Sequence, residues 1–460
     1  VSAALGVSPA RALAGVLGAG LGALALGAAA ALGAYAVHPL VVPAALMTAA
    51  LATVTLRRPE VGIATWFVFL SLGTLGAFGD SPWVVSLGWA AFLFWVAIFR
   101  APAEGTENSG LPPAALPLLV LVVLTGAQAV LTPSLDAALP VVRVLVTGTL
   151  VFFAIALTVR TRSQVMWVLS GIAVQAAILG AVAVWEWRGG GSEVGFITDT
   201  GALVGRVTAG FGHPNALGGF LVLLVPLVAT GALLARRWRL AFAAATFLAV
   251  AGVYLSFSRG ALLGLVAVPL VLLGFRRSLL AAPLLLVLAL TATPDLLEER
   301  FATSSVQGPE AATRYDIWRT AASIWAADPV LGSGPGSFPE RYATVRVPGK
   351  QYLPSTQFQP PPHAHNLGLQ VLAEQGIIGL AALLAVLSTA VLTLMRARGS
   401  PQRWVRVTAL ALLAALLAFA VHNVFDVTLL ERSGQQVWAL LGLASALGTV
   451  AASDELQNDR

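Results

Sequence analysis

Two histidines stand in Pro361-Pro362-His363-Ala364-His365-Asn366, between a polar loop and an apolar run that begins at Leu367. Imidazole is the side chain whose ordinary pKa puts a proton in play near neutrality, so a ring held at a membrane surface is a candidate general base. The plainer reading, polar punctuation at a helix start, fits the same position. Arginines supply the complementary chemistry, because a planar fork of donors binds phosphate in bidentate fashion. Arg259, in Ser256-Phe257-Ser258-Arg259-Gly260, lies between two apolar runs with almost no loop, which puts its guanidinium at or just inside an interface. It is either an anion site, with Ser258 in support, or a snorkelling side chain. Arg314 is a second anion candidate, against a surface network with Asp316 and Arg319. Arg206 is a third. Arg143 falls inside an apolar run, where it must face protein or water, as an anion ligand or as half of a structural pair. Asn215, after His213-Pro214, has a helix-cap position. His422, Asn423 and Asp426 close a late apolar run, lining the same cavity or resting at the interface.

Composition confines the chemistry. Of 460 residues, 58% are hydrophobic and 10% charged, against about 25% charged in soluble domains. The chain therefore reads as a polytopic membrane protein. With no cysteine there are no disulfides and no thiolate ligands or nucleophiles. Lys350 is the only lysine, so the net charge of +6 is carried by arginine and reads as topology and anionic-lipid contact. No basic strip interleaved with aromatics suggests nucleic acid. No metal-ligand spacing, P-loop or serine-nucleophile motif occurs, and no cofactor is called for. Arginines can hold a diphosphate without a metal, and an imidazole can take the proton of an attacking hydroxyl. Outside the cytoplasm, where nucleotide sugars are absent, such a donor must arrive on a lipid.

These residues must be positioned by membrane helices. Apolar runs long enough to span predict about fourteen: 12–36, 39–56, 60–78, 83–99, 113–132, 138–159, 164–187, 214–235, 239–257, 260–275, 278–293, 367–395, 404–425 and 434–452. The first is too long for a secretory segment and reads as a retained span. Arginines in alternate short loops put both termini in the cytoplasm and the loops at 188–213 and 294–366 outside. The predicted organisation is a bundle over 1–293, a helical extracytoplasmic subdomain over 294–366 before the antepenultimate span, and a bundle with a cytoplasmic tail over 367–460. Within the subdomain, Tyr315, Trp318, Ala322 and Trp325 recur at helical spacing, predicting an amphipathic helix over 311–327 that lies on the membrane.

The motifs resemble the O-antigen ligase and O-antigen polymerase superfamily of bacterial envelope enzymes. His365-Asn366, nine residues, then Gly376-Ile-Ile-Gly379 is similar to its His-Asn…Gly-x-x-Gly pattern. Ser258-Arg259-Gly260, Arg314 with Trp318, Asp328-Pro329, Gly332-Ser-Gly334 and Gly212-His-Pro-Asn215 resemble further elements, so the likeness covers about 200–380. It implies an all-α membrane bundle of the cytoplasmic membrane that moves a glycan from an undecaprenyl-diphosphate carrier to a lipid or glycan acceptor. It implies a metal-independent, inverting reaction, with His365 as base and Arg259 and Arg314 on the diphosphate; Arg206 stays a third diphosphate candidate from the residues alone, and His363 falls back to a supporting role. The leading reading is ligase-like, with lipid A–core as acceptor, and a polymerase or protein O-oligosaccharyltransferase is the alternative. Leu380, where ligases often carry threonine, and the span count weaken the ligase relative to these close rivals. A flippase for lipid-linked sugar predicts ionisable residues in several mid-membrane spans; here the charges gather at one rim.

Overall fold

The computed structural model describes residues 41–77, 82–100, 111–132, 134–192, 194–197, 203–272, 309–345, 361–430 and 433–458. The predicted spans 12–36 and 278–293 lie outside them. The described residues form α1 (Val41–Arg57), α2 (Pro59–Thr74), α3 (Pro82–Arg100), α4 (Ala115–Leu131), α5 (Leu135–Thr158), α6 (Arg162–Arg188), β1 (Gly195–Ile197), β2 (Leu203–Gly205), α7 (Pro214–Leu234), α8 (Arg239–Leu255) and α9 (Arg259–Leu272). They continue through α10 (Pro309–Ala327), α11 (Phe338–Thr344), α12 (Leu367–Ala397), α13 (Arg403–Asn423) and α14 (Gly434–Asn458). Helices α3, α5, α6, α7, α12, α13 and the Gly434–Ser453 part of α14 are long and apolar enough to cross a membrane; α4, α8 and α9 are apolar and shorter. The protein is an all-α, multi-pass membrane protein.

Local chemistry sets the helix ends. Pro59 opens α2, where its missing N–H costs nothing. The Ser134 hydroxyl accepts from the Ala137 N–H, so α5 starts ahead of the predicted apolar run. Thr161 and Gln164 form a reciprocal capping box at α6. Between α6 and α7 the predicted loop contains an antiparallel hairpin, with Phe196 opposite Val204. Its end is tied down by Glu186, whose carboxylate accepts the Thr208 and Ala209 N–H groups at 2.8–3.1 Å.

The main core runs through the bundle and is rich in alanine and leucine. Small residues let helices meet closely, as lipid-embedded packing requires. A second cluster unites Ile317, Ala321 and Ile324 of α10 with Phe338 and Tyr342 of α11, and with Ala364 and Ala373. The predicted amphipathic helix is therefore present, but the stripe it buries is Ile317–Ala321–Ile324, against α11 and α12. Tyr315 and Ala322, on the predicted aromatic face, point outward.

Helix α12 is not one straight span. Gly376 interrupts it at φ 64° and ψ −168°. The loop after α10 docks there: Ser333 and Gly334 N–H donate to the Ala373 and Glu374 carbonyls at 3.0 and 2.8 Å, and Ile377 N–H donates to Pro329 O at 3.0 Å. Gln128 of α4 donates to the Leu331 carbonyl at 2.8 Å from the other side. A side chain at Gly376 would strike the Val330 carbonyl and sit at a left-handed φ, which explains the first glycine of the motif. A Cβ at Gly379 would meet Gln375 of its own helix, an encounter created by the kink.

Candidate active site

The approach to α12 sets the histidines. Ala364 is fully buried in the α10–α11 cluster, and its N–H donates to Gln370 Oε1 at 2.7 Å. With that methyl pegged down, His363 and His365 both project to the other side. His365 takes a left-handed φ of 50°, and the rings meet edge to face with centroids 4.2 Å apart. A non-glycine residue in this region is uncommon, and such strain concentrates at functional sites.

Both rings face Asp426, in the loop after α13. His363 Nε2 lies 3.7 Å and His365 Nδ1 3.8 Å from Asp426 Oδ1. His422 Nε2 lies 3.8 Å from the other carboxylate oxygen. These are close polar contacts rather than hydrogen bonds. Burial alone would raise the carboxyl of Asp426, but interaction with His365 and the neighbouring imidazoles holds it well below the usual range. Burial, followed by the nearby His365, pushes His363 down to about 4, so His363 is neutral at pH 7.

Tautomers follow from the backbone. The His365 N–H donates to His363 Nδ1 at 3.2 Å, so a neutral His363 carries its proton on Nε2, facing the carboxylate. His365 turns Nδ1 toward the same carboxylate, which favours a proton there and leaves Nε2 as the acceptor. The ligand atoms of His363, His365 and Asp426 fall within 4.8 Å of one another, a juxtaposition that sequence spacing does not reveal. A metal would need the His363 Nε2 lone pair, and the backbone bond puts a proton on that nitrogen. The set suits proton transfer better than metal binding.

The arginines arrive on other elements. Arg259 opens α9 after a tight turn at Phe257, which is fully buried at φ 46°. The next residue, Gly260, stacks its backbone on His422: a Cβ there would lie 3.1 Å from His422 Nδ1. Gly219 of α7 leaves room for the other edge of that ring. His422 thus packs α7, α9 and α13 together beside Asp426. Arg314, on α10, is close enough to His213 and His363 to lower the pKa of each. His213 caps α7, accepting the Asn215 N–H on Nδ1 at 3.2 Å. Its pKa falls through burial first, with Asp426 opposing and Arg206, His365 and Arg314 adding to the fall.

Three expected site residues have defined structural work. Arg206 is 4% exposed and donates to the Ser256 carbonyl and to Asn215 Oδ1, both at 2.7 Å, so it ties α7 to the α8–α9 turn. Ser258 is buried and accepts the Leu262 N–H at 2.9 Å on its carbonyl as α9 begins. Arg143 lies 4.3 Å over the ring of Trp83, a cation–π pair between α5 and α3. Of the two places the sequence allows Asp426, cavity or interface, the structure selects the cavity, against His363, His365 and His422. An apolar groove of 310 Å³ between α12 and α13 opens at Asn366 and Asn423, beside this cluster, and is walled by Leu383, Leu387 and Phe419.

A family model described as O-antigen ligase matches residues 244–384, from α8 through Arg259, Arg314 and His365 to just beyond the kink. That stretch is similar to the O-antigen ligase superfamily. No curated protein matches the chain. The superfamily resemblance read from the motifs therefore holds, and with it glycan transfer involving lipid-linked substrates in a membrane. The matched stretch includes the His-Asn…Gly-x-x-Gly motif. Asp426 and His422 lie beyond it.

Proposed function

We propose that the protein transfers a glycan from an undecaprenyl-diphosphate carrier to an acceptor hydroxyl at the outer face of a bacterial cytoplasmic membrane. The observation that carries this reading is the approach of His365 to Asp426 at the mouth of an apolar groove, with Arg259 and Arg314 on the surrounding elements. The groove accommodates a lipid chain entering from the bilayer, and the polar cluster receives the head group.

In this mechanism His365 Nε2 accepts the proton of the acceptor hydroxyl, and Asp426 stabilises the imidazolium through Nδ1. The freed oxygen attacks the anomeric carbon on the face opposite the diphosphate. One carbon–oxygen bond forms as the bond to the diphosphate breaks, which inverts the centre. The leaving diphosphate carries the electron pair, and Arg259 and Arg314 stabilise it by charge-assisted hydrogen bonds. Arg206, with its Nε and one terminal nitrogen engaged on protein, supports Asn215 and the turn that presents Arg259. His363, neutral at pH 7, orders Asp426. No metal is required.

The test is reconstitution of purified protein with a lipid-diphosphate glycan and two acceptors, lipid A–core and a second donor molecule. A single transfer to lipid A–core is expected of a ligase, the leading reading; lengthening chains identify a polymerase, its close rival, and Leu380, the departure from the ligase pattern, lines the groove. His365→Ala should abolish either product while donor binding persists. Transfer at the wild-type rate by that variant removes His365 from the chemistry.

A further inference from the structure

Far from the histidines, the opposite ends of the same helices bring other arginines together. Arg162 opens α6, Arg236 and Arg237 occupy the α7–α8 turn, Arg239 opens α8 and Arg403 opens α13. From there α6, α8 and α13 run toward the catalytic end, while α7 returns from it. A 21-residue helix such as α7 separates the two ends by about 30 Å.

Two cavities that share lining residues open at this end. One, of 680 Å³, lies among Arg162, Arg236, Arg239 and Arg403, with Trp404 at its edge. The other, of 930 Å³, shares Arg162 and Arg236 and continues as a groove between α6 and α8. Its α6 wall recurs at helical spacing from Arg162 through Met166, Ser170 and Ala173 to Ala177, about 22 Å along the axis. The groove exists because Ser170, Ala173 and Ala177 face Ala241 and Ala245 of α8, and small side chains leave the space between the helices open. Arg162 donates to the Leu234 carbonyl at the end of α7, which fixes its guanidinium across the mouth. Neither cavity is lined by aspartate or glutamate.

Gathered guanidiniums repel unless an anion lies among them, and the apolar groove calls for hydrocarbon. An amphiphile with an acidic head satisfies both. We propose that this end binds an anionic phospholipid carrying two phosphates, of the diphosphatidylglycerol class. One phosphate sits with Arg239 and Arg403, the other with Arg162 and Arg236, and an acyl chain fills the α6–α8 groove. Two phosphates fit because four arginines line the 680 Å³ cavity, two of them also at the mouth of the groove, and two forks suffice for each phosphate. Basic pockets between transmembrane helices suit such head groups. Trp238 and Trp404 flank the mouth as interfacial anchors do.

The test uses the full chain in nanodiscs of phosphatidylcholine containing either tetraoleoyl diphosphatidylglycerol or dioleoyl phosphatidylglycerol at equal phosphate. Native mass spectrometry counts the lipid retained after transfer to detergent. One diphosphatidylglycerol should be retained roughly tenfold more than phosphatidylglycerol. The preference should disappear in Arg236→Gln/Arg403→Gln. Ser170→Leu, which fills the groove and leaves the arginines in place, should also reduce retention, and an unchanged melting temperature establishes that each variant is folded. Inorganic pyrophosphate should not displace the lipid. Equal retention of the two lipids, equal retention by wild type and both variants, or displacement by pyrophosphate would each overturn the proposal, the last by reducing the site to a free-anion site.

Discussion

The Asn366 side chain joins the start of α12 to the loop that carries Asp426. Its oxygen accepts the Leu369 N–H at 2.9 Å, and its amide donates to the Val424 carbonyl at 3.0 Å. One residue therefore caps the histidine-bearing helix and sets the carboxylate loop against it.

Asn366→Ala should lose the cap, at about 1 kcal/mol, together with the link to Val424. Turnover should fall roughly tenfold with little change in donor KM, since a small displacement of a base is costly. Asn366→Ser restores the cap without the Val424 donor, so it should recover the melting temperature but not turnover. Recovery of both would assign the residue to capping alone.

Asp426→Asn keeps the shape and removes the charge. Turnover should fall about 10²- to 10³-fold while donor affinity stays within a few-fold, the pattern of an interaction made mainly in the transition state. Steady-state kinetics with varied donor separate this from a binding defect.

Arg259→Ala and Arg314→Ala should each weaken donor binding by about 10- to 150-fold, the worth of one charge-assisted phosphate contact of roughly 1.5–3 kcal/mol. Lysine should rescue poorly because the fork is lost. Arg206→Met should behave differently, lowering the yield of folded protein, because it strips buried bonds to Ser256 and Asn215. Direct binding of a diphosphate lipid and a thermal melt on each variant distinguish the two classes.

The folded pKa of His363 lies below its unfolded value, so the unfolded chain binds more protons between about 4 and 6.5. Stability must fall as pH drops through that window, by on the order of 3 kcal/mol from this residue. His213 is shifted in the same direction and adds to the effect. Asp426 is shifted down, so its contribution is present above the ordinary carboxyl range and is lost only at more acidic pH. His363→Gln should flatten the stability profile between pH 4 and 6.5, read as chemical-denaturation midpoints; an unchanged slope would contradict the burial of that ring.

Gly376→Ala forces a left-handed φ on a residue with a side chain and drives its Cβ into the Val330 carbonyl. The cost should exceed about 2 kcal/mol, with the 328–337 loop detached from α12. Faster proteolysis within that loop checks this against simple helix destabilisation.

Much of the molecule was legible in the chain itself. The predicted runs from 39–56 through 260–275, and those at 367–395, 404–425 and 434–452, each fall on a helix, because a bilayer tolerates backbone only when it is internally hydrogen-bonded. The His365–Asn366 spacing to Gly376 and Gly379 was legible because the kink and the cap are local. The hairpin between α6 and α7 was not, since six paired residues leave too short an alternation to register. Nor was the buried face of α10: Ile317, Ala321 and Ile324 and the aromatic stripe share one helical period, and only the partner helix decides which faces in.

The sequence by itself determined a multi-pass helical membrane protein, a histidine at a helix start and arginines gathered at the same rim, because hydropathy, caps and charge are properties of neighbouring residues. Tertiary structure alone decided what His365 faces. Asp426 is remote in sequence and meets His365 because α12 and α13 pack side by side, Ala364 is pinned on the opposite side, and Asn366 holds the loop. That meeting turns a histidine that punctuates a helix into one with a carboxylate at its back.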